Sequence, residues 1–152
     1  MSRKWFNDCV PIINPPIEIE NILAKKSLLT IASVRKNLHS LELQEASEQI
    51  LLLAKISNLY LNDELPWKKI KDESLVNNVA FILYNVLETS RIIGVLLNPI
   101  LPELSVRILR QLSVVHEFKT WEKYLDWGLL SQGSKLPEPS PVIPRVELPE
   151  NL

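Results

Sequence analysis

Glycine and proline are distributed in a way that limits what this chain can fold into. Only three of the 152 residues are glycine, at positions 94, 128 and 133, whereas eleven are proline. So few glycines disfavour phosphate-cradling loops and the many tight turns of all-β folds. Five of the prolines, at positions 137, 139, 141, 144 and 149, fall in the last sixteen residues. This asymmetry predicts a packed body, residues 1–115, followed by an irregular segment and an extended tail, residues 116–152.

Within the body, apolar side chains recur at helical spacing. The pattern predicts four helices, over residues 18–39, 41–62, 72–97 and 102–112. Asp72 can cap the third helix, Pro99 stops it, and Pro102 suits the first turn of the fourth. Amphipathic helices with short connections form antiparallel bundles. We therefore expect an all-α fold, an antiparallel helix bundle with an extended Pro-rich C-terminal tail that lies across its surface.

Each of the three long helices has a predicted buried stripe. In the first helix it comprises Ile19, Ile22, Leu23, Leu28, Leu29, Ala32 and Val34. In the second it comprises Leu43, Ala46, Ile50, Leu53, Ala54, Ser57 and Leu61. In the third it comprises Leu75, Val79, Leu83, Val86, Leu87, Ser90 and Gly94. These stripes are the predicted core of the bundle.

The charge balance limits how this protein could bind nucleic acid. The 17 basic and 18 acidic side chains give a net charge of −1. A protein that binds mainly by neutralising phosphates is usually far more basic. This argues against a large phosphate-binding surface but not against a small site that reads unstacked bases.

Cysteine usage and hydropathy indicate the compartment. Cys9 is the only cysteine, so an intrachain disulfide is impossible and a reducing compartment fits. The first residues lack the apolar segment of a secretory signal, and the longest apolar run, from Arg91 to Pro102, is too short to span a bilayer. We expect a cytoplasmic protein, or alternatively a plastid one, that has no membrane partner.

Residue types needed for catalysis are scarce. With His39, His116 and one cysteine, no zinc site of the usual Cys/His count can be built. A Ser/His/Asp triad is compatible with the composition, but no Gly-x-Ser-x-Gly elbow, P-loop or Gly-x-Gly-x-x-Gly occurs. Acidic residues at positions 42, 45 and 48 share an exposed helix face, where a solvated surface is the simpler interpretation. We expect no catalytic residue, metal site or cofactor in this chain.

Three stretches carry motifs in a fixed order. Residues 58–67 read NLYLNDELPW, residues 87–102 contain LETSR and LLNPILP, and residues 127–147 run from WGLL to PVIPRVE. They resemble the N-x-Y-I-D-E-Q-A-P-W, L-E-x-x-R…L-L-x-P-x-x-P and W-G-x-L…P-R-I-E motifs of the methionyl-tRNA synthetases. The resemblance covers residues from about 40 to 148 and looks cyanobacterial or plastid-like. Residues 1–10 also resemble the later part of that family's first anticodon-domain helix.

The resemblance implies the C-terminal helical domain of a class I synthetase, which reads the CAU anticodon of methionine and initiator tRNAs. In the family, the tryptophan of the Pro-Trp motif is a platform on which an anticodon base stacks, and it falls on Trp67. An indole held at a helix end by a preceding proline is a rigid surface for an unstacked base. The alternative is that Trp67 only plugs the end of the bundle.

Other polar residues near Trp67 have two interpretations each. Asn58 either contacts a base or makes a structural hydrogen bond. Asn62, also assigned to the anticodon-binding site, replaces the family's usual aspartate, which either removes a charge that would repel phosphate or alters the geometry of the corner. Lys68, Lys69 and Lys71 either touch the backbone of the anticodon stem or form a solvated run. Outside this region, we interpret the tryptophans at positions 5, 121 and 127 as packing residues. Arg91 is interpreted as an ion-pair former in the interior or at the rim.

The resemblance also implies what lies outside this sequence. The family's asparagine and arginine that read base edges align just upstream of Met1, and its catalytic signatures are missing. ATP and methionine would therefore bind a synthetase catalytic domain, supplied in cis or encoded separately, and we expect no DNA partner. Alternatives are a free-standing tRNA- or protein-binding module, with apolar surface at Trp5 and Phe6, or a scaffold bundle without any RNA role.

Overall fold

A computed structural model describes residues 1–14, 20–114 and 118–143 of the chain. The α-helices are α1 (Ser2–Trp5), α2 (Ile22–His39), α3 (Leu43–Glu64), α4 (Pro66–Lys69), α5 (Val76–Leu97) and α6 (Pro102–Gln111). Two 3-10 helices cover Glu73–Leu75 and Phe118–Tyr124. Within these ranges the only β pairing is an isolated bridge between Cys9 and Lys135. The predicted all-α class is confirmed.

Local signals explain where the two helices of the first hairpin begin and end. The Asn21 side chain accepts a hydrogen bond from the Ala24 amide at 3.0 Å, so α2 begins after this cap. Leu41, between α2 and α3, has a positive φ of 60°, which ends one helix and redirects the chain into the next. Both helices begin later than predicted, and residues 18 and 19 lie outside the described part.

The buried stripe predicted for α2 is largely wrong. Leu28 and Leu29 are 68% and 65% exposed, and Ile22 and Ala32 are also exposed. The buried residues are instead Leu23, Ser27, Thr30, Ile31 and Val34. These positions follow the spacing i, i+4, i+7, i+8 and i+11, which is one helix face. Small polar side chains on that face are buried because of their position, and more apolar neighbours face outward.

The stripe predicted for α3 is mostly confirmed. Ala46, Ile50, Leu53 and Ser57 are buried, as expected. Ala54 and Leu61 are half-buried, while Leu43, in the first turn, is 51% exposed. The buried face joins α2, α5 and α6 in the main hydrophobic core.

Helix α5 is the central helix of the bundle, packed by α2, α3, α4 and α6. It is buried around much of its circumference, so the single buried face predicted for this helix is too narrow. Leu75, which the prediction included in that face, precedes the helix and is 37% exposed. Residues Glu73–Leu97 are long and apolar enough to cross a membrane, but 72% of the apolar window is buried inside the bundle. That is the pattern of a core helix. It corrects the expectation that the longest apolar run lies between Arg91 and Pro102 and is too short to span a bilayer.

Gly94 of α5 lies where α6 packs closely against this helix. A Cβ there would lie 3.0 Å from Leu109 Cδ2 and 3.1 Å from Ile108 Cγ2, closer than the usual carbon contact of about 3.5–4.0 Å. Such overpacking costs about 1–3 kcal/mol and should outweigh the gain of about 0.8–1.0 kcal/mol in helix propensity. Gly94→Ala should therefore lower the free energy of unfolding by about 1 kcal/mol, measured by urea denaturation.

Ala32→Gly is the control for this substitution, because position 32 is exposed on α2. It should cost about 1 kcal/mol from helix propensity alone. A Gly94→Ala variant that is more stable than the parent would show that Leu109 moves aside freely, and the close-packing argument would be wrong.

A buried ion pair attaches the segment after α6 to α5. The Arg91 guanidinium donates to Glu88 Oε1 and Oε2 at 2.6 and 2.9 Å, and both side chains are almost fully buried. Arg91 also donates to the backbone carbonyl oxygens of Tyr124 and Asp126. The interpretation of Arg91 as an interior ion-pair former is thus confirmed.

The same carboxylate organises the turn at Gly128. Glu88 accepts hydrogen bonds from three consecutive backbone amides, residues 128–130, at 2.7, 3.1 and 3.0 Å. Gly128 has a φ of 91°, which only glycine adopts readily. Trp121 and Trp127 pack against the main core at this end of the bundle, as predicted, and Trp5 is half-buried.

The last described residues of the C-terminal segment contact α6 and its end. Ser140 exchanges hydrogen bonds with the Gln111 side chain at 2.9 and 3.2 Å, and Arg107 donates to the Val142 carbonyl at 3.4 Å. The rest of the expected tail, from residue 144, lies outside the described residues. The division of the chain into residues 1–115 and 116–152 stays a prediction.

Candidate nucleic-acid interface

The chain turns sharply where α3 ends, in a segment that we call the corner, residues 64–69. Leu65 has a left-handed conformation (φ 48°, ψ 52°), which stops α3 at Glu64. Pro66 then occupies the first position of α4, where its missing N–H costs nothing, and its ring is buried. The Leu65 carbonyl accepts from the amides of residues 68 and 69 at 2.9 and 3.2 Å. The backbone of the corner is therefore fixed on both sides of Trp67.

Trp67 presents part of its indole to solvent. Its exposed fraction is 36%, whereas the other three tryptophans are half-buried. Most of the residue is covered, as expected of a plug, and the remainder is open to solvent, as a stacking platform requires. The arrangement provides an aromatic surface, backed by a buried proline, on which a planar group can stack.

The lysines of the corner differ in their surroundings. Lys69 forms an ion pair with Glu64, which links the last residues of α3 and α4. Lys68 is exposed and makes no ion pair among the described residues, and Lys71 is likewise exposed. Of the three lysines considered for contact with the RNA backbone, Lys68 and Lys71 are thus freer than Lys69, which already has a carboxylate partner.

Asn58 and Asn62 lie on one exposed face of α3. They are four residues apart, so their Cα atoms are separated by about 6 Å along the helix axis. Neither side chain makes a hydrogen bond in the described part of the chain. The structural hydrogen bond considered for Asn58 is therefore not seen there, and both amides face solvent. Trp67 follows Asn62 by five residues, across the corner.

The electrostatic environment of the corner is nearly neutral. The Glu64–Lys69 pair cancels one charge of each sign, and Asp63 offsets one of the remaining lysines. Hydrogen bonds from the Ser74 hydroxyl and amide lower the pKa of Asp72, which caps the following 3-10 turn. A neutral surface with one aromatic ring and two amides is better suited to uncharged bases than to a phosphate backbone.

A partly buried polar pair that no local motif of the sequence indicates joins α5 to the start of α2. Asn85 of α5 is 1% exposed, and its Oδ1 accepts from Asn21 Nδ2 at 2.8 Å. The Asn85 Nδ2 donor is buried and has no hydrogen-bond partner among the described residues. Tyr60, one turn before the corner, is half-buried, and burial raises the pKa of its hydroxyl.

No group of three or more His, Cys, Asp or Glu side chains lies close enough to hold a metal ion in the described ranges. Cys9 is a free, half-buried thiol, and His39 ends α2 as predicted. The acidic residues at positions 42, 45 and 48 are all exposed, in agreement with the solvated face expected for them.

The described residues define an all-α helical bundle with a partly exposed tryptophan at one corner. The model of one family, described as the anticodon binding domain of methionyl tRNA ligase, matches residues 10–147. The chain belongs to this family.

Curated relatives agree with this assignment. The chain is 32% identical to the methionine–tRNA ligase of Clostridium perfringens, over all of this chain and 23% of that protein. It is 31% identical to the enzyme of Nostoc sp., over all of this chain and 30% of that protein. For Synechocystis sp. the identity is 35%, over 72% of this chain and 22% of that protein. Cyanobacterial relatives are thus among the matches, with a clostridial one similarly close.

Solved structures show the same fold. The crystal structure of the apo form of Mycobacterium tuberculosis methionyl-tRNA synthetase matches with a TM-score of 0.83 and 27% identity. The match covers 98% of this chain and 30% of that chain. The chain therefore spans less than a third of the length of the relatives and the structure compared with it.

Proposed function

We propose that this chain recognises the CAU anticodon of methionine and initiator tRNAs, as the anticodon-reading part of a methionyl-tRNA synthetase. The observation that carries the proposal is the part-exposed Trp67 indole, held at a rigid corner by the buried Pro66. An anticodon base that leaves the loop stack can lie on this ring, while Asn58 and Asn62 present amides able to bind base edges.

The charge of the chain supports a site that reads bases. With a net charge of −1, the chain lacks the excess of cations needed for affinity dominated by phosphates. Stacking and base-edge hydrogen bonds are less dependent on salt than phosphate contacts. Recognition by this domain should therefore be local and selective, with Lys68 the best-placed contact to the RNA backbone.

The proposed role in aminoacylation is indirect. Activation of methionine with ATP belongs to a catalytic domain, in cis or encoded separately, because the relatives named methionine–tRNA ligase are more than three times as long. The present chain would supply anticodon recognition to that domain. Its proposed location is the cytoplasm, with the plastid as the alternative.

Titration with RNA stem-loops tests this function. Fluorescently labelled anticodon stem-loops carrying CAU or a changed anticodon are titrated with the 152-residue chain, and binding is followed by anisotropy. The CAU loop should bind more tightly than the changed loop. Equal affinity for both loops would reject recognition of the anticodon and indicate non-selective RNA binding. No binding even at low salt, where electrostatic contacts are strongest, would reject the proposal and favour a scaffold role.

Lys68→Ala tests the backbone contact separately. If Lys68 touches a phosphate, its loss should weaken the CAU and the changed loop by a similar factor and reduce the slope of log affinity against log salt by about 1. Lys36→Ala is the matched control, because Lys36 is exposed near the end of α2 that is remote from the corner. An unchanged salt slope for Lys68→Ala would assign Lys68 to the solvated surface.

A further inference from the structure

The outward face of α3 carries large apolar side chains that remain open to solvent. Leu51, Leu52 and Leu59 are 60%, 49% and 60% exposed. Successive residues of an α-helix are rotated by about 100°, so these leucines lie on the side opposite to the buried Ile50 and Leu53. Single exposed leucines are common, but several on one helix face form the kind of patch that marks a contact with another protein.

Two residues of opposite charge lie on either side of the central leucines. Glu48 is three residues before Leu51, and Lys55 is three residues after Leu52, so all four side chains share one helix face. Both charged residues are exposed, and neither forms an ion pair with another described residue. Glu48 only accepts a hydrogen bond from the Gln44 side chain, at 3.1 Å. The patch thus has a carboxylate at one end and an ammonium group at the other.

This order of side chains is complementary to its own reverse. Glu48 and Lys55 are equally distant from the midpoint between Leu51 and Leu52. If a second α3 lies antiparallel to the first, with a twofold axis at that midpoint, each Glu48 is opposite the Lys55 of the other copy. The four leucines then meet at the centre. A parallel arrangement would instead place carboxylate against carboxylate and ammonium against ammonium.

We propose that the outward face of α3 binds a second copy of this chain, as an antiparallel helix pair with twofold symmetry. Charge complementarity identifies the partner, because charged residues beside an apolar seam set the choice and the orientation of the partner helix. The paired stretch, from Gln44 to Leu59, is about 24 Å long. One helix pair of this length is smaller than a standard interface, so we expect a dissociation constant on the order of 100 µM.

Reversal of the charges tests both the contact and its orientation. Glu48→Lys and Lys55→Glu each place like charges opposite one another in two positions. Each variant alone should therefore dimerise at least about 10-fold more weakly than the parent. An equimolar mixture of the two variants should dimerise about as strongly as the parent, because each variant then complements the other. Sedimentation equilibrium of the 152-residue chain and its variants, over a concentration series, measures these constants.

A charge at the centre of the patch tests the leucines. Leu52→Glu should weaken the dimer at least about 10-fold, because it buries carboxylates among apolar side chains. Leu101→Glu is the matched control, since Leu101 has the same exposed fraction of 49% but precedes α6, which packs on α5. It should leave the dissociation constant at the parent value. Circular dichroism verifies that each variant is folded.

These measurements use no RNA, so they are independent of the proposed anticodon site. A parent chain that remains monomeric throughout the concentration series would overturn the dimer and leave the face to another partner. A dimer that Leu52→Glu does not weaken would place the contact elsewhere, for example at Trp5 and Phe6, and would also overturn the proposal. Stronger association of the mixture than of either charge variant alone would support the antiparallel pair.

Discussion

Glu88→Gln should lower the free energy of unfolding by about 3–5 kcal/mol, the cost of breaking a buried ion pair by removing one partner. The substitution preserves the shape of the side chain and removes its charge. Arg91, which is 1% exposed, would then hold an uncompensated positive charge in the core. The neutral amide also has only one oxygen, whereas the carboxylate uses two to accept hydrogen bonds.

Backbone contacts make this ion pair harder to replace than an isolated one. Buried pairs can often be exchanged for apolar residues of similar volume without loss of stability. Here, however, the Glu88 carboxylate satisfies three backbone amides of residues 128–130, and Arg91 satisfies two backbone carbonyls. A Glu88→Met, Arg91→Met double variant would leave these groups without partners. It should therefore remain at least about 3 kcal/mol less stable than the parent.

Urea denaturation followed by circular dichroism measures these differences. Glu103→Gln is the control, since Glu103 is 89% exposed and only pairs with Arg107 at 3.7 Å, one turn away on the surface of α6. Its effect should stay within about 0.5 kcal/mol. A double variant as stable as the parent would mean that the turn at Gly128 does not depend on the ion pair.

The contrast between α2 and α3 shows which parts of the fold the sequence could predict. In α3 the large apolar residues, such as Ile50 and Leu53, themselves follow the helical spacing of the buried face, so the sequence predicts that face correctly. In α2 they conflict: Leu28 and Leu29 are apolar but lie away from α3 and α5, while Ser27 is buried. The contacts of neighbouring helices select the buried face, and hydrophobicity alone does not reveal it.

The site was predictable only as far as its local motif. Pro66 and Trp67 are adjacent in sequence, so the corner could be located from the Pro-Trp pair and its resemblance. Asn21 and Asn85 are 64 residues apart, and no periodicity indicates that their side chains meet. The contacts between Glu88 and the turn around Gly128 could not be predicted either. The groups that bind Glu88 are backbone amides, which are present in every sequence and leave no residue signal.

Trp67→Ala should weaken binding of the CAU stem-loop by about 5- to 150-fold, the equivalent of roughly 1–3 kcal/mol for one stacked base. The loss should be much smaller for a loop with a changed anticodon, if that loop is not held at the corner by base-edge contacts. Trp67→Phe should retain part of the affinity because a smaller aromatic ring still offers a stacking face. This order of affinities depends on the ring, and a charge effect cannot produce it.

Folding must be separated from binding in this experiment, and the exposure of Trp67 makes that possible. A side chain that is 36% exposed contributes less to the core than a buried one, so the alanine variant should remain folded, which circular dichroism can verify. Trp121→Phe is the matched control. Trp121 packs against the core, and its neighbour Glu122 pairs with Arg35 near the C-terminal end of α2, which is remote from the corner. This substitution should affect stability without changing the preference for CAU. If Trp67→Ala weakens both loops equally, the indole contributes to general affinity only, and discrimination of the anticodon must come from Asn58, Asn62 or residues outside this chain.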